Sequence, residues 1–188
     1  MSLTAGHKPP RRRLFLALYP LLAQRRRLAN VVKEHCPELN AGGAGAVPCD
    51  NLHITLVFLG SVTAETQACI EQVAASVVMP AFSLRLDRLG YWPRKRMLWA
   101  MPDPMALPGA LSALVESLYR GLASCDVSLE QRAYRPHVTM ARKLARGPRG
   151  GHIEAVEWTL NEFALMESVS TPEGVRYPLL RSWPLTGA

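Results

Sequence analysis

At 188 residues the chain has room for one ordinary domain or two small lobes, which excludes a pair of independent enzymes. Apolar residues make up 48% and charged residues 20%, enough for a proper core and too apolar for wholesale disorder. The balance of 22 Lys+Arg against 15 Asp+Glu leaves +7, which favours anionic partners such as nucleic acid, anionic lipid or a phosphorylated small molecule without choosing among them.

Residues 1–10 are polar and carry Gly and Pro, and read as a flexible N-terminal segment ahead of a single domain over 11–188. Arg11-Arg12-Arg13 and the apolar run behind them imitate a secretory or twin-arginine signal. Pro20 interrupts that run, Arg25-Arg26-Arg27 follows at once, and no small-x-small cleavage site separates them. The run is also about half the roughly 20 residues of a membrane span, so the expectation is a cytoplasmic protein without a membrane partner.

Residues 14–18 predict a short buried strand, and 21–35 a helix with a basic outer side. The Gly-rich AGGAGAVP loop leads to a strand over 52–59 that closes at Gly60. A second helix over 63–78 is capped by Thr63. Alternation from Phe82 to Leu89 predicts a strand with one wet face; Arg94-Lys95-Arg96 marks a turn into a strand over 97–101; a third helix spans 107–123. Strands follow around 134–141, 156–168 and 175–185, with the RGPRGG loop before the second of them. This order predicts an α+β fold with mainly antiparallel sheet. Cys36, Cys49, Cys69 and Cys125 lack CxxC spacing and read as reduced, buried thiols. Cys49 and His53 are four apart, but the extended pattern from His53 offers no second pair, so no metal site is expected.

Two segments echo each other. His53-Ile54-Thr55-Leu56 and His137-Val138-Thr139-Met140 each place His-x-Thr inside a β-like run a few residues after a proline. Residues two apart on a strand share a face, so each His and its Thr point together while Ile54 and Val138 point to the core. Imidazole, with an unperturbed pKa near 6.5, can serve as base in one copy and acid in the other. Displacement at phosphorus needs such a pair on opposite sides, and the Thr hydroxyls can donate to the non-bridging oxygens. Arg135 shares the His137 face on an uninterrupted strand, whereas Arg142 falls on the other face unless the strand bends or ends at Ala141. Either guanidinium is a candidate phosphate fork. The chain lacks Gly-x-Ser-x-Gly, Walker and GxGxxG patterns, so nucleophilic-serine and ATP-driven chemistry are not supported.

The motifs LHITLVFLG and RPHVTMAR resemble those of the 2H phosphoesterase superfamily, and residues 12–186 are similar to its RNA 2′,3′-cyclic phosphodiesterases, formerly 2′-5′ RNA ligases. That resemblance implies a bilobal α+β fold, with two antiparallel sheets facing across a central groove, helices on the outer faces and one His-x-Thr motif per lobe. It implies opening of a terminal 2′,3′-cyclic phosphate to a 2′-phosphomonoester with no cofactor. His53 would be the proton donor, His137 the base, and Thr55, Thr139 and Arg142 the phosphate contacts. Met140 and Tyr134 stand where Leu and Phe are usual.

The implied partner is RNA ending in a 2′,3′-cyclic phosphate, tRNA fragments among the candidates, acted on by a monomer. Arg94, Lys95, Arg96, Arg142, Lys143, Arg146 and Arg149 are candidate backbone contacts, and Tyr91, Trp92 and Tyr134 could stack a base or pack locally. A 2′-5′ ligase, a small cyclic nucleotide phosphodiesterase or a noncatalytic nucleotide-binding module in the same cleft stay open as alternatives.

Overall fold

The computed structural model describes residues 10–37, 39 and 45–186. Segment 1–10, apart from Pro10, and the first half of the Gly-rich loop, 41–44, lie outside the described residues. In chain order the elements are β1 (Arg12–Leu18), α1 (Leu22–His35), β2 (Ile54–Val62), α2 (Ala64–Ala75), β3 (Phe82–Trp92), β4 (Met97–Met101), α3 (Gly109–Leu122), β5 (Val138–Arg142), β6 (Gly151–Leu160), β7 (Glu162–Glu167), β8 (Val169–Thr171), β9 (Gly174–Arg176) and β10 (Leu179–Pro184).

Eight strands form one antiparallel sheet in the order β10-β7-β1-β2-β5-β4-β3-β6, and β8 with β9 makes a separate hairpin. The large sheet consists of two four-stranded halves joined at its centre, where Ile54 of β2 pairs with Val138 of β5. Strand β6 at one edge passes into β7, the second strand from the other edge, through Asn161 alone. In a flat sheet those strands would stand six spacings, roughly 29 Å, apart. A single residue cannot span that, so the sheet curls until its halves turn toward each other. Leu185 N donates to the Asn161 carbonyl and pins the crossing.

The helices follow their apolar stripes. Leu111, Leu114, Val115, Leu118 and Leu122 of α3 are buried at helical spacing, and Leu28, Val31 and Val32 do the same for α1. Thr63 caps α2, its Oγ1 accepting from Thr66 N at 3.3 Å. The outer side of α1 is tied down by the Arg25–Asp50 and Arg27–Glu154 ion pairs. Among the described residues no helix is long and apolar enough to cross a membrane.

Several sequence expectations need correction, among them the single strand over 175–185, which is divided into β9 and β10 at Tyr177 and Pro178. The predicted strand over 134–141 begins only at Val138, and the one over 156–168 is two strands broken at Asn161, where the chain changes halves. The cysteines are not all reduced thiols: Cys69 of α2 and Cys125 just beyond α3 form a disulfide, because these two helices pack together and bring the Cα atoms to 5.9 Å. Cys36 is buried in the core.

Candidate active site

Strands β2 and β5 run antiparallel and meet at the middle residue of each His-x-Thr motif. Ile54 and Val138 are fully buried and point into the core, so their neighbours point the other way. Antiparallel alignment about this pair sets Thr55 beside His137 and His53 beside Thr139. The two histidines occupy one diagonal of a four-residue patch, and the threonines the other. Diagonal neighbours on one sheet face stand about 7–8 Å apart, and imidazoles rising from them can flank a phosphoryl group.

Both rings are held the same way. The Nδ1 of His53 lies 2.7 Å from the Asn51 carbonyl, and that of His137 lies 2.7 Å from the Arg135 carbonyl. A carbonyl only accepts, so each Nδ1 carries the proton and each Nε2 is left for chemistry. Tyr177 stands edge-on to His53 at 4.9 Å with Phe15 at 4.9 Å on a tilted face, while Trp92 stands edge-on to His137 at 4.7 Å. These walls strip water from the imidazoles. Burial, reinforced by the positive charge of Arg142, pulls His53 down to about 4, the Asn51 carbonyl opposing the shift. His137 is likewise lowered, by burial first and then by the charges of Lys95, Arg132 and Arg142, against the opposing Arg135 carbonyl. Without substrate both rings are neutral at neutral pH.

Arg142 reaches this face through a β-bulge. Opposite β5, Trp99 pairs with Thr139 but Leu98 pairs with Ala141, leaving Met140 as an extra residue. Arg142 then pairs with Met97, two residues from Trp99, so Thr139 and Arg142 share a face despite their odd spacing. Both touch the Met97 sulfur, Thr139 Oγ1 at 3.5 Å and Arg142 Nη1 at 3.4 Å. Among the described residues Arg142 has no carboxylate partner. Gly45, at φ +110°, accepts from Arg142 N at 2.6 Å, and a Cβ there would stand 2.6 Å from the Arg142 carbonyl oxygen. Gly45 and Ala46, which bridges to Ala141, therefore support the site strand, a role the sequence does not announce.

The first half repeats the device. Ala17 pairs with Thr55 and Leu16 with Val57, so Leu56 is bulged as Met140 is, and Phe58 joins Thr55 on the site face. Phe58 is thus the counterpart of Arg142, and it is 44% exposed despite being aromatic. The sequence did carry a signal for this residue: in both copies two adjacent apolar residues, Leu56-Val57 and Met140-Ala141, follow the Thr and break the alternation.

A cavity of about 670 Å³ opens from the Thr55/His137 edge, walled by Phe58, Trp92 and Tyr134 and rimmed by Arg94, Lys95, Arg132 and Arg135. Arg135 thus lies beside the site, in coil rather than strand, and its carbonyl anchors His137. Arg96 is committed elsewhere: its guanidinium donates to the carbonyls of Lys143 and Leu144, bracing the turn after Arg142. Tyr91 is also structural, donating to the Leu144 carbonyl at 2.8 Å. Among the described residues no group of three or more His, Cys, Asp or Glu gathers to form a metal site.

The family model for the 2′-5′ RNA ligase superfamily matches residues 17–171. The RNA 2′,3′-cyclic phosphodiesterase of Escherichia coli is 33% identical over 145 residues, covering 74% of this chain and 79% of the relative. That of Archaeoglobus fulgidus is 28% identical over 179 residues, covering 90% and 98%. The crystal structure of E. coli LigT complexed with 3′-AMP superposes with a TM-score of 0.84 at 30% identity, covering 94% of this chain and 99% of that one. The family-model match embraces both His-x-Thr motifs. The chain therefore belongs to the 2′-5′ RNA ligase superfamily, the 2H phosphoesterases, as an enzyme of their RNA 2′,3′-cyclic phosphodiesterase group.

Proposed function

We propose that this enzyme, acting as one bilobal domain, hydrolyses the terminal 2′,3′-cyclic phosphate of RNA to a 2′-phosphomonoester by paired-imidazole acid–base catalysis in which neither proton transfer needs a metal. The observation that carries the reading is the diagonal placement of two imidazoles whose Nδ1 atoms face backbone carbonyls, with Arg142 on the same sheet face and, among the described residues, without a carboxylate partner. His137 Nε2 takes a proton from water as the water oxygen bonds to phosphorus. The bond from phosphorus to O3′ breaks on the opposite side, and His53 Nε2–H gives its proton to O3′. The carbonyls of Asn51 and Arg135 hold the rings in the required tautomers throughout. Thr55 and Thr139 donate to the non-bridging oxygens, and the Arg142 fork offsets their charge. The anionic phosphate raises both histidine pKa values on binding, which supplies the protonated His53 that the empty site lacks. Phe58 offers a stacking surface for the terminal base.

The activity for which the relatives are named and the 3′-AMP complex of the E. coli neighbour support this substrate class. Cytoplasmic residence is part of the proposal and rests on Pro20 and Arg25-Arg26-Arg27 closing the short apolar run. The test is turnover of an RNA oligomer ending in a 2′,3′-cyclic phosphate, with EDTA present and the product position identified by NMR. A 2′-phosphate product lost in both His53→Ala and His137→Ala supports the reading. Binding without turnover by the wild type would make the chain a nucleotide-binding module instead.

A further inference from the structure

We propose that the cavity beside His137 contains a second anion site, in which Lys95 and Arg132 hold the phosphate on the 5′ side of the terminal nucleotide. This rests on the phosphodiesterase reading above and narrows its substrate to nucleotides that carry phosphate on both sides of the ribose. Two separate sets of cations make the case. Arg142 serves the His53/Thr139 edge, packed against Met97, and does not line the cavity. The cavity has its own four cations, Arg94, Lys95, Arg132 and Arg135, against one acid, Glu130. Only Arg132 is ion-paired, to Glu130 at 2.6 Å; among the described residues the other three have no carboxylate partner. A cavity with three uncompensated cations and aromatic walls calls for an anion attached to something flat.

The spacing suits consecutive phosphates of one strand. Lys95 Nζ sits 5.1 Å over the Trp92 ring, and that ring stands 4.7 Å from the His137 ring. The ammonium and the His137 imidazole therefore share Trp92 as a common neighbour, which keeps them within reach of the two phosphates that flank one ribose. Glu130 pins the Arg132 guanidinium by one edge, leaving donors of the planar fork for a phosphate oxygen. Lys95 and Arg132 both line the cavity, and both lie near enough to His137 for their charge to lower its pKa.

The test compares kcat/KM for adenosine 2′,3′-cyclic phosphate bearing a 5′-hydroxyl, the same compound bearing a 5′-phosphate, and a dinucleotide ending in the cyclic phosphate. The expected result is an advantage of at least about tenfold for both 5′-phosphorylated substrates, shrinking as salt rises. In the Lys95→Met/Arg132→Met double variant, with folding checked by thermal melt, the ratio taken within that protein should fall below about threefold. Equal kcat/KM with and without 5′-phosphate in the wild type would overturn the proposal. So would a 5′-phosphate advantage that survives in the double variant, which would assign it to Arg94 or Arg135, or an advantage confined to the dinucleotide, which would assign it to base stacking. If no cyclic phosphate is turned over at all, the phosphodiesterase reading fails by itself. Calorimetric binding of adenosine 3′,5′-bisphosphate against 3′-AMP, in both proteins, then decides the second site on its own.

Discussion

Ile54 and Val138 face each other across β2 and β5, and this pair sets the spacing of everything on the other side of the sheet. Each is the middle residue of a His-x-Thr motif and each is wholly buried. Their burial against a common core makes the register costly to slip, since a shift of one residue would turn the histidines inward. The core thus holds the diagonal of His53 and His137 in place.

Removal of either imidazole should cost about 10²–10⁴ in kcat, the usual contribution of a general acid or base. Because the two act in one proton-transfer sequence, the His53→Ala/His137→Ala double variant should be little worse than either single variant. Single-turnover rates on a cyclic-phosphate oligomer check this; fully additive losses would contradict a concerted pair.

The pH dependence should differ between free and bound enzyme. With His53 near 4 and His137 below 6.5 in the empty site, both limbs of kcat/KM should lie on the acid side of 6.5. The kcat profile should move to higher pH, because the bound phosphate favours both imidazolium forms. These limbs belong to the pair, so rates at several pH values test the shift and not the assignment of acid and base.

Folding stability should carry the same signature. His53 has a folded pKa below its unfolded one, so protonation favours the unfolded chain. The stability it contributes is complete above about 6.5 and is lost as pH falls toward 4, by about 1.4 kcal/mol per unit within that window. Urea melts at pH 7 and pH 5 should therefore show a loss that is smaller in His53→Gln. An added phosphate ligand should reduce it in the wild type.

Arg142→Ala should lower kcat by about 10²–10³, and Arg142→Lys should recover only part, since an ammonium lacks the planar fork. Gly45→Ala should also lower kcat, because its Cβ would meet the Arg142 carbonyl oxygen at 2.6 Å and the backbone there has φ +110°. Unchanged kinetics in Gly45→Ala would show that the loop does not position Arg142.

The disulfide Cys69–Cys125 closes a sequence separation of 56 residues, for which loop entropy gives about 4 kcal/mol. Reduction, or Cys69→Ser, should lower the unfolding free energy by an amount of that order or somewhat less, read as the fall in denaturant midpoint multiplied by m. Melts with and without a thiol reductant check it, and a Cys69→Ser/Cys125→Ser variant should be insensitive to the reductant.

Local physics made much of this protein legible in its sequence. A short apolar run placed β1, the Arg94–Arg96 turn signal placed β4, alternation placed the start of β3, and period-3.6 patterns placed the three helices close to where they stand, because burial of an apolar stripe is decided over a few neighbouring residues. Tertiary structure decided the rest. Whether the two motifs meet depends on β2 pairing with β5, which are 84 residues apart at Ile54 and Val138, and on a sheet curled enough for Asn161 to join its two ends. The bulges at Leu56 and Met140 brought Phe58 and Arg142 onto the site face against simple alternation, because the partner strand and not the strand itself determines where the extra residue goes. The Cys69–Cys125 bond and the Gly45 support of Arg142 were invisible for the same reason: each depends on a partner that lies near in space and far along the chain.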